Sequence, residues 1–151
     1  MGMIGSVMRW FTERMGRNYT LVQLAEKLEK SGQTVHGRME STSNSESHRK
    51  AARHIIGIER WSQSRLRVAL GDPLTLDEYD GYCPDAQLDM AALARAFAET
   101  RQESIQLAQQ LEAAGVSPIQ TVRHNELGDL TIRGWLVYIG NHAWRESFVL
   151  R

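Results

Sequence analysis

An all-α fold, a four-helix bundle with one long crossover connection between its second and third helices, is what this sequence predicts. Only three prolines interrupt 151 residues. Long stretches consist of Ala, Leu, Gln, Glu and Arg, which are strong helix formers. Apolar residues recur at helical spacing in four separate segments, and no segment sustains the period-two alternation of a half-buried strand. The length fits a single domain over 1–151 with enough chain to bury a core.

Residues 1–17 predict a leading helix on the spacing of Ile4, Met8, Phe11 and Met15. The first bundle helix runs from about Tyr19 to Met39, where Leu21, Leu24, Ala25, Leu28, Gly32, Val35 and Met39 keep one stripe. Gly32 costs about 1 kcal/mol relative to Ala inside a helix and marks a candidate break. The stretch STSNSES (41–47) is a polar linker, and Ser43 with Glu46 has the spacing of a capping box for the second helix. That helix places Ala51, Ile55, Ile58, Leu66 and Ala69 on one side and ends near Gly71-Asp72-Pro73. DPLTLDEYDGYCPD (72–85) is irregular and long enough for a functional loop over a pocket.

The third helix starts after Pro84-Asp85 and stops at Gly115, with Ala86, Met90, Leu93, Phe97, Ala108 and Leu111 as its stripe. VSPIQTVRHNELGD (116–129) is a connector. Thr131 is the predicted N-cap of the fourth helix, whose stripe is Ile132, Trp135, Leu136, Ile139, Ala143 and Leu150.

Composition narrows the function. Lys plus Arg number 18 and Asp plus Glu number 18, so the net charge is zero, which disfavours a nucleic-acid binder with a broad basic surface. The lone cysteine, Cys83, has no internal disulfide partner, as expected for a cytoplasmic protein. No apolar run reaches the roughly 20 residues of a membrane span, and the N-terminal stretch lacks the pattern of a signal peptide.

Helical geometry singles out three polar residues. His142 and Glu146 are four apart, so they stack on one face. At about 100° per residue Glu146 falls within the apolar stripe of the last helix and His142 at its edge. His54 flanks the stripe of the second helix. Imidazole and carboxylate are good ligands for first-row divalent metals, and three protein ligands leave a position open for water or substrate. A metal there lowers the pKa of bound water or thiol. The competing reading is structural: a histidine beside an apolar face is commonly a hydrogen-bonded core residue, and Glu146 has Arg65 or Arg101 as possible partners. Arg101, facing inward, has three uses: an ion pair with Glu59, one with Glu146, or a contact with an anionic substrate. Tyr79 and Tyr82 either line the pocket or pack the loop onto the bundle. His124 shapes the connector, and Cys83 is a small loop residue without an activating base.

Three stretches, HIIGIERWSQSRLRVALGDPLTLDEYD (54–80), FAETRQESIQLAQQL (97–111) and RHNELGDLTIRGWLVYIGNHAWRE (123–146), resemble the DinB-like (DinB/YfiT) superfamily, in its DinB_2-type branch. The resemblance covers roughly residues 20–151. It implies a four-helix bundle with a divalent metal, zinc or nickel, on three histidines. His54 and His142 match two of them, and Glu146 stands at the third. Glu146 either completes a His2Glu set or marks a metal-free binding module. The resemblance also implies a small-molecule substrate with a low-molecular-weight thiol, through S-transferase or isomerase chemistry. The enzyme reading of this chain is a metal-dependent transferase or hydrolase, with Arg101, Tyr79 and Tyr82 as the candidates for placing the substrate. No nucleic-acid partner is expected, on the zero net charge.

Val137, Trp144 and Phe148 form a second apolar stripe on the last helix, away from the core. Exposed aromatics at this spacing suggest a homodimer interface. The alternative cover is the leading segment, with Trp10 and Phe11.

Overall fold

The computed structural model describes residues 2–151. The fold is mostly helical: α1 (Met3–Gly16), α2 (Leu21–Ser41), α3 (Glu46–Val68), α4 (Met90–Ala113) and α5 (Ile132–Glu146), with a short hairpin, β1 (Thr121–His124) and β2 (Gly128–Thr131), before α5. One-turn 3-10 segments lie at Tyr79–Tyr82 and Ser147–Leu150. Among the described residues no helix is long and apolar enough to cross a membrane.

Each long helix begins on a side chain that satisfies its free amides. Thr20 and Gln23 form a reciprocal capping box on α2. Ser45, Asp89 and Thr131 accept from the third residue of α3, α4 and α5 respectively. Ser45 therefore takes the position that the sequence pattern assigns to Ser43. Asp89 starts α4 five residues after Pro84, which leaves Ala86 outside the helix and exposed.

Helices α2 and α3 each pack against both α4 and α5. The predicted stripe of α2 is buried residue for residue, Gly32 included, and the helix continues through it. A side chain at Gly32 would meet Arg101 Cγ at 2.8 Å, so this glycine makes room for the guanidinium stem. The core has two apolar parts. One gathers Leu24, Leu28, Trp61, Leu66, Leu111, Trp135 and Leu136; the other gathers Val35, Met39, Ile55, Ile56, Leu93 and Phe97.

Between them lies a buried polar layer. Arg101 donates through Nε and Nη2 to the two carboxylate oxygens of Glu59 at 2.7 and 3.0 Å. Its Nη1 donates to the Leu28 carbonyl and to Ser31 Oγ at 2.8 and 3.1 Å. Ser104 donates to Glu59 at 2.8 Å, and Gln63 donates to the Thr100 carbonyl and to Ser104.

The hairpin is the departure from an all-helical chain. Val122 pairs with Leu130 and His124 with Gly128, antiparallel, and both Val122 and Leu130 face the core. Gly128 has φ +80° and closes a three-residue turn, a geometry that favours glycine.

Helix α1 forms where predicted but presents the opposite face. Thr12 and Gly16 are buried against the bundle, whereas Ile4, Met8, Phe11 and Met15 are exposed. Glu13 sets this orientation: its carboxylate accepts from the Thr131 amide at 2.8 Å and from Thr131 Oγ1 at 2.5 Å. An anion there also meets the positive end of α5. Glu13→Ala is expected to destabilise the protein by about 1–2 kcal/mol. Limited proteolysis is expected to cut the variant faster within residues 3–20 than the parent.

Candidate functional site

The candidate site is a cavity of about 530 Å³ bounded by α3, α5, the hairpin turn, the Tyr79 segment and the first two turns of α1. A groove of similar size, about 560 Å³, lies between α2 and α5 and reaches α1 only at Met15, but it is mainly apolar and holds none of the histidines. The histidine cavity is the one with chemistry on its walls.

His54 from α3 and His142 from α5 come together there, with ring centroids 5.1 Å apart. His142 is buried, yet among the described residues no group hydrogen-bonds to either ring, and neither ring has nitrogens sealed off from the cavity. Their nitrogens are therefore available to a guest. Burial, reinforced by His54 and Arg145, pulls His142 down to about 3, so its ring is neutral across the physiological range.

Tyr138 lies one turn before His142 and stacks at 5.9 Å from it. Burial and the nearby Glu126 push its hydroxyl up to about 12, which keeps it protonated. Tyr79 meets His54 edge-on at 5.0 Å. Ile4, Met8, Ile58 and Leu127 supply apolar wall, and Glu78, Glu126 and Arg145 supply charge.

His124 adds a third imidazole to the lining. Its Nδ1 accepts from the Glu126 and Leu127 amides at 3.0 and 3.1 Å, so it holds the hairpin turn as its place in the connector suggests. That leaves the proton on Nε2, which is buried without a partner. Its ring sits among Trp61, Trp135 and Tyr138 at 4.9–5.1 Å. Burial, then the charge of Arg65, lowers it to about 4.

The other predicted residues fall outside this group. Glu146 is not on the cavity wall: its side chain is 40 % exposed, with the carboxylate 3.7 Å from the Arg145 guanidinium. The reason is local. Helix α5 ends at Glu146, and the buried line continues from Ile139 and Ala143 to Ser147 and Leu150 in a 3-10 turn. Neither Arg65 nor Arg101 reaches Glu146. Arg101 is consumed by Glu59 and so does not place a substrate in this cavity.

Arg65 ties the loop down instead. It donates to the Thr75 carbonyl, to the Asp77 carbonyl at 3.3 Å and to Asn125 Oδ1 at 2.7 Å. Tyr82 donates to Asp77 at 2.6 Å and packs on the core rather than lining the cavity. Cys83 rests against Gly57, where an added Cβ would lie 2.5 Å from its Sγ, and burial raises its thiol pKa.

A metal–imidazole bond of about 2.1 Å puts the ion about 3.2 Å from each ring centre, so a tetrahedral angle separates two ligand rings by about 5 Å. The 5.1 Å between the His54 and His142 rings is of that size. The third corner is not supplied: among the described residues no three His, Cys, Asp or Glu side chains gather closely enough to hold one ion. The three-residue set implied by the family resemblance therefore does not fit this arrangement.

Compared with protein-family models, with curated proteins and with solved structures, the chain shows no significant match. Its function is read from the cavity itself.

Proposed function

We propose that the chain is a DinB/YfiT-type four-helix bundle that binds a small molecule in the His54–His142 cavity, as a binding module rather than a three-ligand metal enzyme. One observation carries this: two imidazoles on different helices converge at 5.1 Å with no protein partner for their nitrogens. A neutral imidazole offers one donor and one acceptor. His142 and protonated Tyr138 thus suit an uncharged polar group, while Ile4, Met8 and Ile58 accept an apolar body. Arg101, the candidate for placing a substrate, is tied up by Glu59 instead.

A second reading keeps the metal. The family resemblance points to zinc or nickel, the 5.1 Å ring spacing allows His54 and His142 to hold it, and a thiol or water from solution would take the remaining positions, as in an S-transferase or hydrolase. Titration of chelator-free protein with zinc and with nickel separates the two. The binding-module reading expects dissociation constants no tighter than about micromolar and no change in Glu146→Ala. Stoichiometric tight binding that Glu146→Ala abolishes would overturn it. A thermal-shift screen of uncharged aromatic and amide compounds is expected to give hits that His54→Ala and His142→Ala both lose; hits that persist in both would place the ligand elsewhere. A cytoplasmic location suits the free thiol of Cys83.

A further inference from the structure

The groove of about 560 Å³ between α2 and α5 has the volume of a pocket that takes one small ligand. It shares no lining residue with the histidine cavity, so it is a separate site and does not depend on the reading of that cavity. Its lining also splits the second apolar stripe that the sequence predicts on α5. Val137 is buried against Gly16 and joins Leu24, Leu28 and Leu136 as the floor. Trp144 is 45 % exposed and forms part of the rim. Phe148 lies outside the groove, edge-on to Trp144 and beneath the Arg38 guanidinium.

Gly140 keeps the groove open. It sits inside α5, where glycine costs about 1 kcal/mol relative to alanine. A Cβ built there would lie 3.3 Å from Leu28 Cδ2 and 3.9 Å from Ser31 Oγ, both on lining residues. A longer side chain at 140 would therefore enter the space between α2 and α5.

The charge on this lining has one sign. Lys27 and Lys30, three apart and so neighbours on the surface of α2, are its only charged residues. The Lys27 ammonium lies 4.5 Å over the ring of Tyr19, which also lines the groove. Among the described residues neither lysine has a carboxylate within 4.0 Å. The Asn141 amide meets Met15 Sδ at 3.2 Å, a weak acceptor that leaves it free to donate to a better one. Unpaired positive charge beside an apolar floor is complementary to an apolar chain that ends in an anion. An uncharged chain would leave both ammonium groups unused, and a cationic one would be repelled.

We propose that the α2–α5 groove binds a free medium-chain fatty carboxylate, with its chain on Leu24, Leu28, Leu136 and Gly140 and its head at Lys27 and Lys30.

Calorimetric titration of the full chain with decanoate below its micelle concentration tests this. Decanol and decyltrimethylammonium are the uncharged and cationic probes of the same chain length. Decanoate is expected to bind one per chain with a dissociation constant of about 10–100 µM, and the other two at least about 10-fold more weakly. Both lysines are exposed, so Lys27→Glu/Lys30→Glu should keep the parent's circular dichroism while weakening decanoate at least about 10-fold. Gly140→Leu is expected to abolish binding by filling the groove. A parent that binds no decanoate overturns the proposal, and so does decanol binding as tightly as decanoate. Parental affinity in Lys27→Glu/Lys30→Glu overturns it as well. Binding retained in folded Gly140→Leu places the chain elsewhere, the histidine cavity included, and equally overturns it. A parent that takes up no decanoate but sediments as a dimer, which Gly140→Leu dissociates, overturns it and assigns the groove to a second copy.

Discussion

Glu59→Ala is expected to destabilise the protein by about 3–5 kcal/mol, because it strands the Arg101 guanidinium between two apolar half-cores. Glu59 and Arg101 are 1 % and 4 % exposed, so solvent does not replace the lost partner. Unfolding in urea with matched slopes measures the loss, which for a chain of this size corresponds to roughly 10 °C in melting temperature. The double variant Glu59→Met/Arg101→Met removes both charges at similar volume and is expected to recover most of that stability. The asymmetry between single and double variants is the signature of an ion pair whose breaking, rather than whose making, dominates. A double variant as unstable as Glu59→Ala would instead assign the effect to packing.

The second large effect is acid lability from the buried imidazoles. His142 and His124 are held near 3 and 4, against an ordinary value of about 6.5. Below about 6.5 the unfolded chain takes up protons that the folded chain refuses, so stability falls as pH falls. Above that value their contribution is constant. The slope approaches about 1.4 kcal/mol per pH unit for each ring. Urea midpoints at pH 7, 6 and 5, in the presence of a chelator, lie above the ordinary carboxylate range and isolate the effect. His142→Phe is expected to remove about half of the slope. Equal stability at pH 7 and pH 5 would show that both rings protonate in place.

The sequence was most legible where one local rule decides. The α2 stripe is buried as its spacing predicts, and Thr131 caps α5 as its position before an apolar run suggests. Legibility failed where distant contacts decide. The hairpin strands are four residues each, too short to show alternation, and their pairing depends on Gly128 and on burial of Val122 and Leu130. The apolar spacing of α1 gives a helix, but its facing is set by Glu13 on a residue 118 positions away.

The site was half legible. Two helices deliver His54 and His142 to one point. The α5 period put Glu146 inside, but Glu146 is the last residue of that helix and its side chain stays partly exposed, while Ser147 and Leu150 of the following 3-10 turn take the buried positions. The opposite neighbour, Tyr138, sits four residues before His142 on the same face and was the available signal. His124 looked like a turn residue and is one, and its ring also joins the aromatic wall.

Arg65 has a mechanical consequence. A single guanidinium grips the 75–77 backbone and Asn125 of the hairpin turn, while Asn125 in turn donates to the Asp77 carbonyl and to Glu78. Two sides of the guest chamber are thus bolted to one post and yield only together. The third side, the N-terminal rod, is moored separately, by Glu13 on Thr131 and by Arg133 donating to the Arg17 carbonyl, so disturbing one post leaves the other in place.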